Sequence, residues 1–164
     1  MTRRSRRTAL ALFVALVLGP SLGAQLAPIP QDRGASGLGL SLRRLGVTAR
    51  VLYVTAHPDD EHNGVLVRLR RGLGVRTALF TLTLGEGGQN AIGPELGEAL
   101  GVLRTEELAA VHRWDGVEQY FGRAYEFGYS FSVEESLARW GREETLGDVV
   151  RVIRAFRPDV ILTL

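Results

Sequence analysis

One histidine and three acidic residues stand within five positions after the first apolar run of the chain. The segment is Ala56-His57-Pro58-Asp59-Asp60-Glu61, and residues 51–54 before it are apolar or aromatic. An imidazole nitrogen and a carboxylate oxygen are ligands of catalytic metals, and a spare carboxylate can accept a proton. Open α/β sheets bind ligands at the carboxyl ends of their strands, so this position favours a metal-dependent site.

A structural interpretation of the same residues stays open. Proline fixes φ in a turn, and aspartate accepts hydrogen bonds from the free N–H groups at a helix start. The segment Pro58-Asp59-Asp60 alone is typical of such a turn. His57 in front of it, directly after a strand, favours the metal site.

The composition is that of an ordinary globular domain and excludes several classes of site. The chain has 164 residues, of which 45% are hydrophobic and 23% charged. It has no cysteine, which excludes disulfides and thiolate metal ligands. The formal net charge is +2, and removing the four arginines of the first seven residues leaves −2. We therefore expect no nucleic-acid partner.

Residues 1–24 are predicted to be a signal peptide. A basic start precedes the apolar residues 9–18, then Gly19-Pro20 and small residues, with cleavage after Gly23 or Ala24. The sequence favours general secretory export to the periplasm or the extracellular space, although it partly resembles a twin-arginine signal. An uncleaved anchor is the alternative. The apolar stretch is short for a transmembrane helix, so we expect no stable membrane span after cleavage.

Residues 25–49 are predicted to be a linker followed by an amphipathic lead-in. The lead-in carries Leu38, Leu40, Leu42 and Leu45, which we expect to pack on the following domain. From residue 50 onward strand and helix patterns alternate, which predicts an α/β, Rossmann-like fold with a mostly parallel sheet and flanking helices. The sequence ends within an apolar strand, from which we expect a chain truncated after the fourth strand.

The predicted elements are four strands and four helices. The strands cover residues 51–55, 75–84, 117–121 and 159–164, and the helices cover 62–71, 95–114, a short segment after Ser132, and 144–156. Ser132 and Glu135 predict a capping box at the third helix. The expected core faces are Leu96, Leu100, Leu103, Leu108 and Val111 on the second helix, and Leu146, Val149, Val150 and Ile153 on the last.

The first motif resembles the A-H-P-D-D-E hallmark of the PIG-L/LmbE-like family of zinc-dependent de-N-acetylases. Three further segments resemble family motifs: residues 83–90 (Thr-Leu-Gly-Glu-Gly-Gly-Gln-Asn), Arg104-Thr105-Glu106-Glu107-Leu108, and residues 157–161 (Arg-Pro-Asp-Val-Ile). The resemblance covers the chain from about residue 50 to its end. It implies a hydrolase that removes the N-acetyl group from an N-acetylglucosamine-type sugar or conjugate, a small-molecule substrate.

The resemblance also implies roles for individual residues. His57 and Asp60 would be ligands of Zn²⁺ or another divalent metal, Asp59 the general base, and Arg104 a substrate contact. We expect Pro58 to bend the chain so that His57 and Asp60 converge. The family's third ligand is a histidine in a motif beyond residue 164, so we expect the present chain alone to bind metal weakly and hydrolyse little.

Other residues near these motifs allow a functional or a structural interpretation. Glu86, Gln89 and Asn90 could bind substrate hydroxyls, or belong to a flexible surface loop. Arg104 could instead form an ion pair with Glu107 along its helix. Glu61 is expected to orient the loop or favour the helix start, and His62 and His112 are expected to be structural. The aromatic residues of the segment 120–131 are expected to pack rather than to stack on a sugar.

Two non-catalytic alternatives remain. A nucleotide-binding Rossmann domain is disfavoured because the first strand–helix turn lacks G-x-G-x-x-G and is acidic. A carbohydrate-binding relative that has lost its metal site is the better alternative.

Overall fold

Four parallel strands form the sheet of this protein. The computed structural model describes residues 34–163, so the predicted leader and the first part of the linker lie outside the described residues. The strands are β1 (Arg50–Thr55), β2 (Arg76–Thr81), β3 (Glu118–Phe121) and β4 (Val160–Thr163), in the spatial order β3-β2-β1-β4. Every strand pair is parallel, which confirms the predicted α/β fold.

Helices precede and connect the strands. They are α1 (Gly34–Leu45), α2 (Asn63–Val67), α3 (Glu98–Asp115), α4 (Val133–Trp140) and α5 (Arg142–Phe156). A π-helical segment, Arg68–Leu73, continues α2, and Gly74 ends it with a φ of 77° that favours glycine. The predicted cap of α4 is confirmed, because the Ser132 hydroxyl accepts a hydrogen bond from the N–H of Glu135.

The core lies on both faces of the sheet. One cluster joins the strands to α5 and consists of Leu52, Ala78, Phe80, Val152 and Phe156. The other joins them to α2 and α3 and consists of Tyr53, Leu66, Leu79, Leu108 and Val117. A parallel strand covered by helices on both faces must be apolar on both sides, which explains the continuous runs in β1 and β2.

The predicted core face of α3 is partly wrong. Leu100 and Leu108 are buried, but Leu96 is 72% exposed and precedes the helix, and Leu103 and Val111 are also exposed. The buried stripe runs instead through Leu100, Gly101, Leu108, His112 and Asp115. This face of α3 is buried for two reasons. Gly101 allows the helix to approach the loop after β2 closely, and the polar side chains of His112 and Asp115 contact each other.

The buried stripe of α5 also differs from the prediction. It consists of Asp148, Val152 and Phe156 at a spacing of four residues, while Leu146 is 50% exposed. Val149 and Ile153 are half-buried and pack against the core cluster. The sequence pattern missed the stripe because it contains a carboxylate, Asp148, whose partners come from a distant segment.

Helix α1 is the predicted lead-in, and its leucines do not pack as expected. Leu38, Leu42 and Leu45 are exposed, and only Leu40 is half-buried. The helix is held instead by Arg43, whose guanidinium donates to the Gly72 carbonyl of the π-helical segment. No helix of residues 34–163 has the length and apolar character needed to cross a membrane.

The strand register brings three loops to one edge of the sheet. Thr55 at the end of β1 pairs with Thr81 of β2, which in turn pairs with Phe121 at the end of β3. The segments 56–62, 82–97 and 122–132 therefore all leave the sheet at the same edge. Side chains from these segments form the candidate site.

Candidate metal and catalytic site

A tight turn around Pro58 brings His57 and Asp60 together. The His57 carbonyl accepts from the N–H of Asp59 at 3.1 Å. The Asp60 side chain folds back, so that its Oδ2 accepts from the His57 N–H at 2.9 Å and lies 3.0 Å from the ring Nδ1. An imidazole nitrogen and a carboxylate oxygen thus face each other at the carboxyl end of β1.

The other ring nitrogen of His57 contacts Glu126, a residue that belongs to none of the sequence motifs. Nε2 of His57 forms an ion-pair contact with Oε2 of Glu126, whose side chain is only 6% exposed. Glu126 lies in the irregular segment 122–132 that follows β3. One signal was available: an acidic residue after a strand that ends at the same sheet edge as β1.

Glu86 and Gly87 help to hold the Glu126 segment in place. Glu86 is buried, and its Oε2 accepts from the Glu126 N–H at 3.4 Å. Gly87 lies so close that a Cβ there would be 2.7 Å from the Glu126 carbonyl oxygen. Glu86, predicted as a substrate contact, thus faces the Glu126 backbone.

Asp148 anchors the start of the same segment. Its carboxylate accepts from the backbone N–H of Arg123 at 3.0 Å and from the Arg123 guanidinium, and Arg151 donates to it as well. The hydrogen bond from the Arg123 side chain, followed by that from Arg151, lowers the pKa of Asp148 below its ordinary value, against the opposing effect of burial. This ion pair fixes the path of the chain from β3 toward Glu126.

Arg104 on α3 holds the predicted base. Its Nη2 lies 3.3 Å from Oδ2 of Asp59 and 3.4 Å from the carbonyl oxygen of Gln89. The Arg104 side chain is 17% exposed, whereas that of Asp59 is 60% exposed. A Cβ at Gly88 would be 2.7 Å from Nη1 of Arg104, which explains the glycine. Arg104 therefore forms its ion pair with Asp59 across the fold rather than along its own helix.

The remaining predicted loop residues differ in what they do. Asn90 organises the loop, because its Oδ1 accepts from the N–H groups of Ile92 and Gly93 and its amide donates to Glu95. Gln89 is exposed, close to Arg104 and Asp59. The loop after β2 is thus built by specific contacts.

The two other histidines lie in structural positions. His62 caps α2, where its Nδ1 accepts from the N–H of Val65 at 3.4 Å. His112 is buried at the end of α3, with Nδ1 3.1 Å from both carboxylate oxygens of Asp115. Glu61, at the end of the motif, accepts from the side chain of Asn63, near the start of α2.

The aromatic residues of the segment 120–131 pack only in part. Tyr120 packs edge-on against Phe156, and Phe127 packs against Trp140. Tyr129 and Phe131 contact each other at 5.1 Å between ring centroids but are 81% and 88% exposed. The expectation of packing therefore holds for Tyr120 and Phe127 and not for Tyr129 and Phe131.

The donor set at the turn fits a divalent metal in chemical type but is incomplete. Within residues 34–163, no group of three or more His, Cys, Asp or Glu side chains is arranged to hold a metal ion. His57 and Asp60 supply one imidazole nitrogen and one carboxylate oxygen, both of which bind zinc in proteins. Catalytic zinc sites have three protein ligands, so two of them could come from this turn.

Curated relatives of this chain are sugar deacetylases. It is 34% identical over 142 residues to the 1D-myo-inositol 2-acetamido-2-deoxy-alpha-D-glucopyranoside deacetylase of Streptomyces scabiei, covering 76% of this chain and 43% of the relative. It is 33% identical over 133 residues to the enzyme of that name from Mycobacterium bovis, covering 71% and 44%. The chain thus spans less than half the length of these relatives.

Solved deacetylases share the fold. N,N'-diacetylchitobiose deacetylase from Pyrococcus horikoshii superimposes with a TM-score of 0.53 at 22% identity, covering 75% of this chain and 44% of that one. A deacetylase of teicoplanin biosynthesis gives a TM-score of 0.52 at 18% identity, covering 70% and 54%. The PIG-L family model, described as GlcNAc-PI de-N-acetylase, matches residues 52–164. Since that match spans well over half of the sequence, the chain belongs to the PIG-L family.

Proposed function

We propose that the protein to which this chain belongs is a zinc-dependent deacetylase. It would hydrolyse the N-acetyl group of an N-acetylglucosamine-type sugar or conjugate and release acetate and a free amine. The family membership and the deacetylase relatives support an N-deacetylase. The observation that carries the metal-dependent chemistry is the 3.0 Å approach of His57 Nδ1 and Asp60 Oδ2, directly beside Asp59.

His57 and Asp60, whose side chains already face each other, would be the residues of this chain that hold the metal. When bound, a divalent metal supplies Lewis-acid polarisation of the amide carbonyl and makes water a competent nucleophile near neutral pH. Glu126 then has a separate role, because it contacts the opposite nitrogen of the His57 ring. A carboxylate in that position fixes the orientation of the imidazole, as is usual for histidine ligands.

Asp59 is the proposed general base. Its carboxylate is exposed and follows the turn that carries the two ligands, while Arg104 holds one of its oxygens. Asp59 would accept a proton from the attacking water as the oxygen adds to the acetyl carbonyl carbon. It would return that proton to the amine nitrogen as the C–N bond breaks, so that the products are acetate and a free amine.

We propose a restricted role in substrate binding for the loop after β2. Gln89 is exposed next to Asp59 and Arg104, where its amide can bind a sugar hydroxyl. Glu86 and Asn90 would act indirectly, since Glu86 is buried against the Glu126 segment and Asn90 binds its own loop. Arg104 can contact substrate only on the part of its guanidinium that Asp59 and the Gln89 carbonyl leave exposed.

We also propose that the third zinc ligand is a histidine outside this sequence and that the protein is exported. The first proposal follows from the family resemblance and from the two-donor turn, and the second from the predicted leader. The present chain alone should then bind zinc weakly and release little amine. Tight stoichiometric zinc with turnover by this chain would contradict the first proposal.

The decisive experiment is Asp59→Asn in the full-length protein. Bound zinc is measured by mass spectrometry of the metal, and amine release from N-acetylglucosamine conjugates with an amine-reactive dye. We expect zinc to be retained and turnover to be abolished, while Glu143→Gln, an exposed residue in the first turn of α5, changes neither. Loss of zinc would mean that Asp59 and Asp60 have exchanged roles. Sugar binding with no zinc in the unaltered protein would favour the carbohydrate-binding alternative.

A further inference from the structure

Tyr129 and Phe131 present two aromatic rings to solvent in the segment that follows β3. Their exposed fractions are 81% and 88%. The ring centroids lie 5.1 Å apart and the ring planes meet at 82°, so the edge of one ring stands against the face of the other. We call these two residues the aromatic pair. Because aromatic surface in contact with water is unfavourable, such a pair needs a reason to remain exposed.

The backbone that carries the aromatic pair is fixed on both sides. Before the pair, the Glu126 carboxylate accepts from the N–H of Gly128, whose φ of 90° favours glycine. At its end, the N–H of Phe131 donates to Oε2 of Glu135 at 3.1 Å. A ligand that packs on the two rings therefore binds a loop that is already ordered, and little further conformational entropy is lost.

The aromatic pair is close in the chain to a residue of the candidate site. Tyr129 follows Glu126 by three positions, so their Cα atoms are at most about 11 Å apart, and the limit for Phe131 is about 18 Å. Glu126 contacts His57 directly. One extended ligand can therefore reach both the aromatic pair and the turn that carries His57 and Asp59.

The surroundings of the aromatic pair are uncharged and contain hydroxyl groups. Residues 127–133 read Phe-Gly-Tyr-Ser-Phe-Ser-Val, with no charged side chain. The nearby Arg139 is engaged elsewhere, because its Cζ lies 4.7 Å from the ring centroid of Phe127 and its guanidinium pairs with Glu135. The loop thus offers aromatic faces and hydroxyls to a neutral ligand, and no free cation to a phosphate or a carboxylate.

A sugar ring matches these properties. The face of an aromatic ring carries negative potential, which attracts the C–H groups on one side of a pyranose. The hydroxyl of Tyr129 can donate to and accept from the sugar hydroxyls. A protein partner fits less well, since two aromatic side chains bury about 150–250 Å² each, whereas a stable interface buries about 1,200 Å² or more in total.

We propose that the aromatic pair binds a sugar ring linked to the N-acetylglucosamine unit that loses its acetyl group. This inference rests on the proposed deacetylase function and narrows its substrate to a conjugate with at least two rings. Asp59 acts at the amide, while Tyr129 and Phe131 hold the neighbouring ring.

The test compares two probes on the full-length protein with zinc. The probes are N-acetylglucosamine and the N-acetylglucosamine dimer obtained from chitin. The variants are Tyr129→Ala and Phe131→Ala, and Trp114→Ala is the matched control, because Trp114 is an exposed aromatic residue near the end of α3. Amine release gives kcat and KM for each probe, and calorimetry measures the affinity for the dimer.

We expect the unaltered protein to have a lower KM for the dimer than for the single sugar. Each alanine substitution should raise the KM for the dimer by about two- to tenfold, the effect of one aromatic contact, and should affect the single sugar less. Trp114→Ala should change neither KM. Phe131→Leu, which is apolar but has no ring, should resemble Phe131→Ala. Circular dichroism checks that each variant is folded.

Three results would overturn the inference. The first is a dimer that binds no more tightly than the single sugar, and the second is an equal change in KM for both probes. The third is full affinity for the dimer in Phe131→Leu, since apolar surface rather than an aromatic face would then be sufficient.

Failure of the proposed function has a different signature. A full-length protein that releases no amine from either probe would contradict the deacetylase proposal. Calorimetry would still show whether Tyr129→Ala and Phe131→Ala weaken binding of the dimer.

Discussion

Glu126 contacts the Nε2 nitrogen of His57 from a segment that follows a different strand. Asp60 lies against the opposite ring nitrogen, so the imidazole is held between two carboxylates. Only one of them, Asp60, is a neighbour of His57 in the sequence. The orientation of the predicted metal ligand therefore depends on the parallel sheet, in which the segment after β3 passes the loop after β2 to reach the end of β1.

The substitution Glu126→Gln should weaken zinc binding by the full-length protein. Loss of the carboxylate that orients a histidine ligand costs about 10- to 100-fold in metal affinity. Competition with a chromophoric chelator measures this affinity. Glu134→Gln, an exposed residue of α4, should leave it unchanged. Tighter zinc binding by Glu126→Gln would show that Glu126 competes with the metal for His57.

The substitution Arg104→Met should lower kcat more than it raises KM. Arg104 holds the Asp59 carboxylate at 3.3 Å, so its removal leaves the proposed base free to turn away. A positioned base contributes roughly 10²–10⁴-fold to rate, and we expect a loss of about 10- to 100-fold with zinc retained. Steady-state kinetics of the full-length variant separate the two parameters. A rise in KM with unchanged kcat would instead indicate a direct substrate contact.

The substitution Gly88→Ala should reproduce the defect of Arg104→Met without removing the guanidinium. The new Cβ would lie 2.7 Å from Nη1 of Arg104 and force that side chain away from Asp59. Gly147→Ala is the matched control, because nothing lies within 4 Å of its Cβ position on α5. It should raise the free energy of unfolding by about 0.5–1 kcal/mol and leave kcat unchanged. If Gly88→Ala is as active as the control Gly147→Ala, the positioning role of Arg104 is refuted.

Local patterns in the sequence were sufficient to predict the strands, the helices and the turn at Pro58. Apolar runs of strand length marked β1 and β2, and Ser132 marked the start of α4 because a helix start needs an acceptor for its free N–H groups. The approach of His57 and Asp60 was predictable because proline fixes the turn between them. Each of these features depends on residues that are near in the sequence.

Features that depend on distant residues were missed. Glu126 could be placed near His57 only with the strand order known, and Arg104 meets Asp59 because α3 packs against the loop after β2. The face of α3 was misassigned because its buried side includes His112 and Asp115, two polar residues that satisfy each other. Hydrophobic periodicity assigns buried polar pairs to the surface.

The last prediction concerns Asp148, which anchors the segment that carries Glu126. The hydrogen bonds from Arg123 and Arg151 lower the pKa of this carboxyl below its ordinary value of 3.8. The folded chain therefore binds the proton less tightly than the unfolded chain. The stabilisation is complete above the unfolded-state pKa and is lost as the pH falls through the lower folded-state value.

Asp148→Asn should cost roughly 1.5–3 kcal/mol at neutral pH, the range for hydrogen bonds to a charged group. Urea unfolding at a series of pH values should show this difference shrinking below pH 3.8. Glu106→Gln on the exposed side of α3 should show no such pH-dependent difference. A difference that persists unchanged into acid would mean that Asp148 acts through its shape and not its charge.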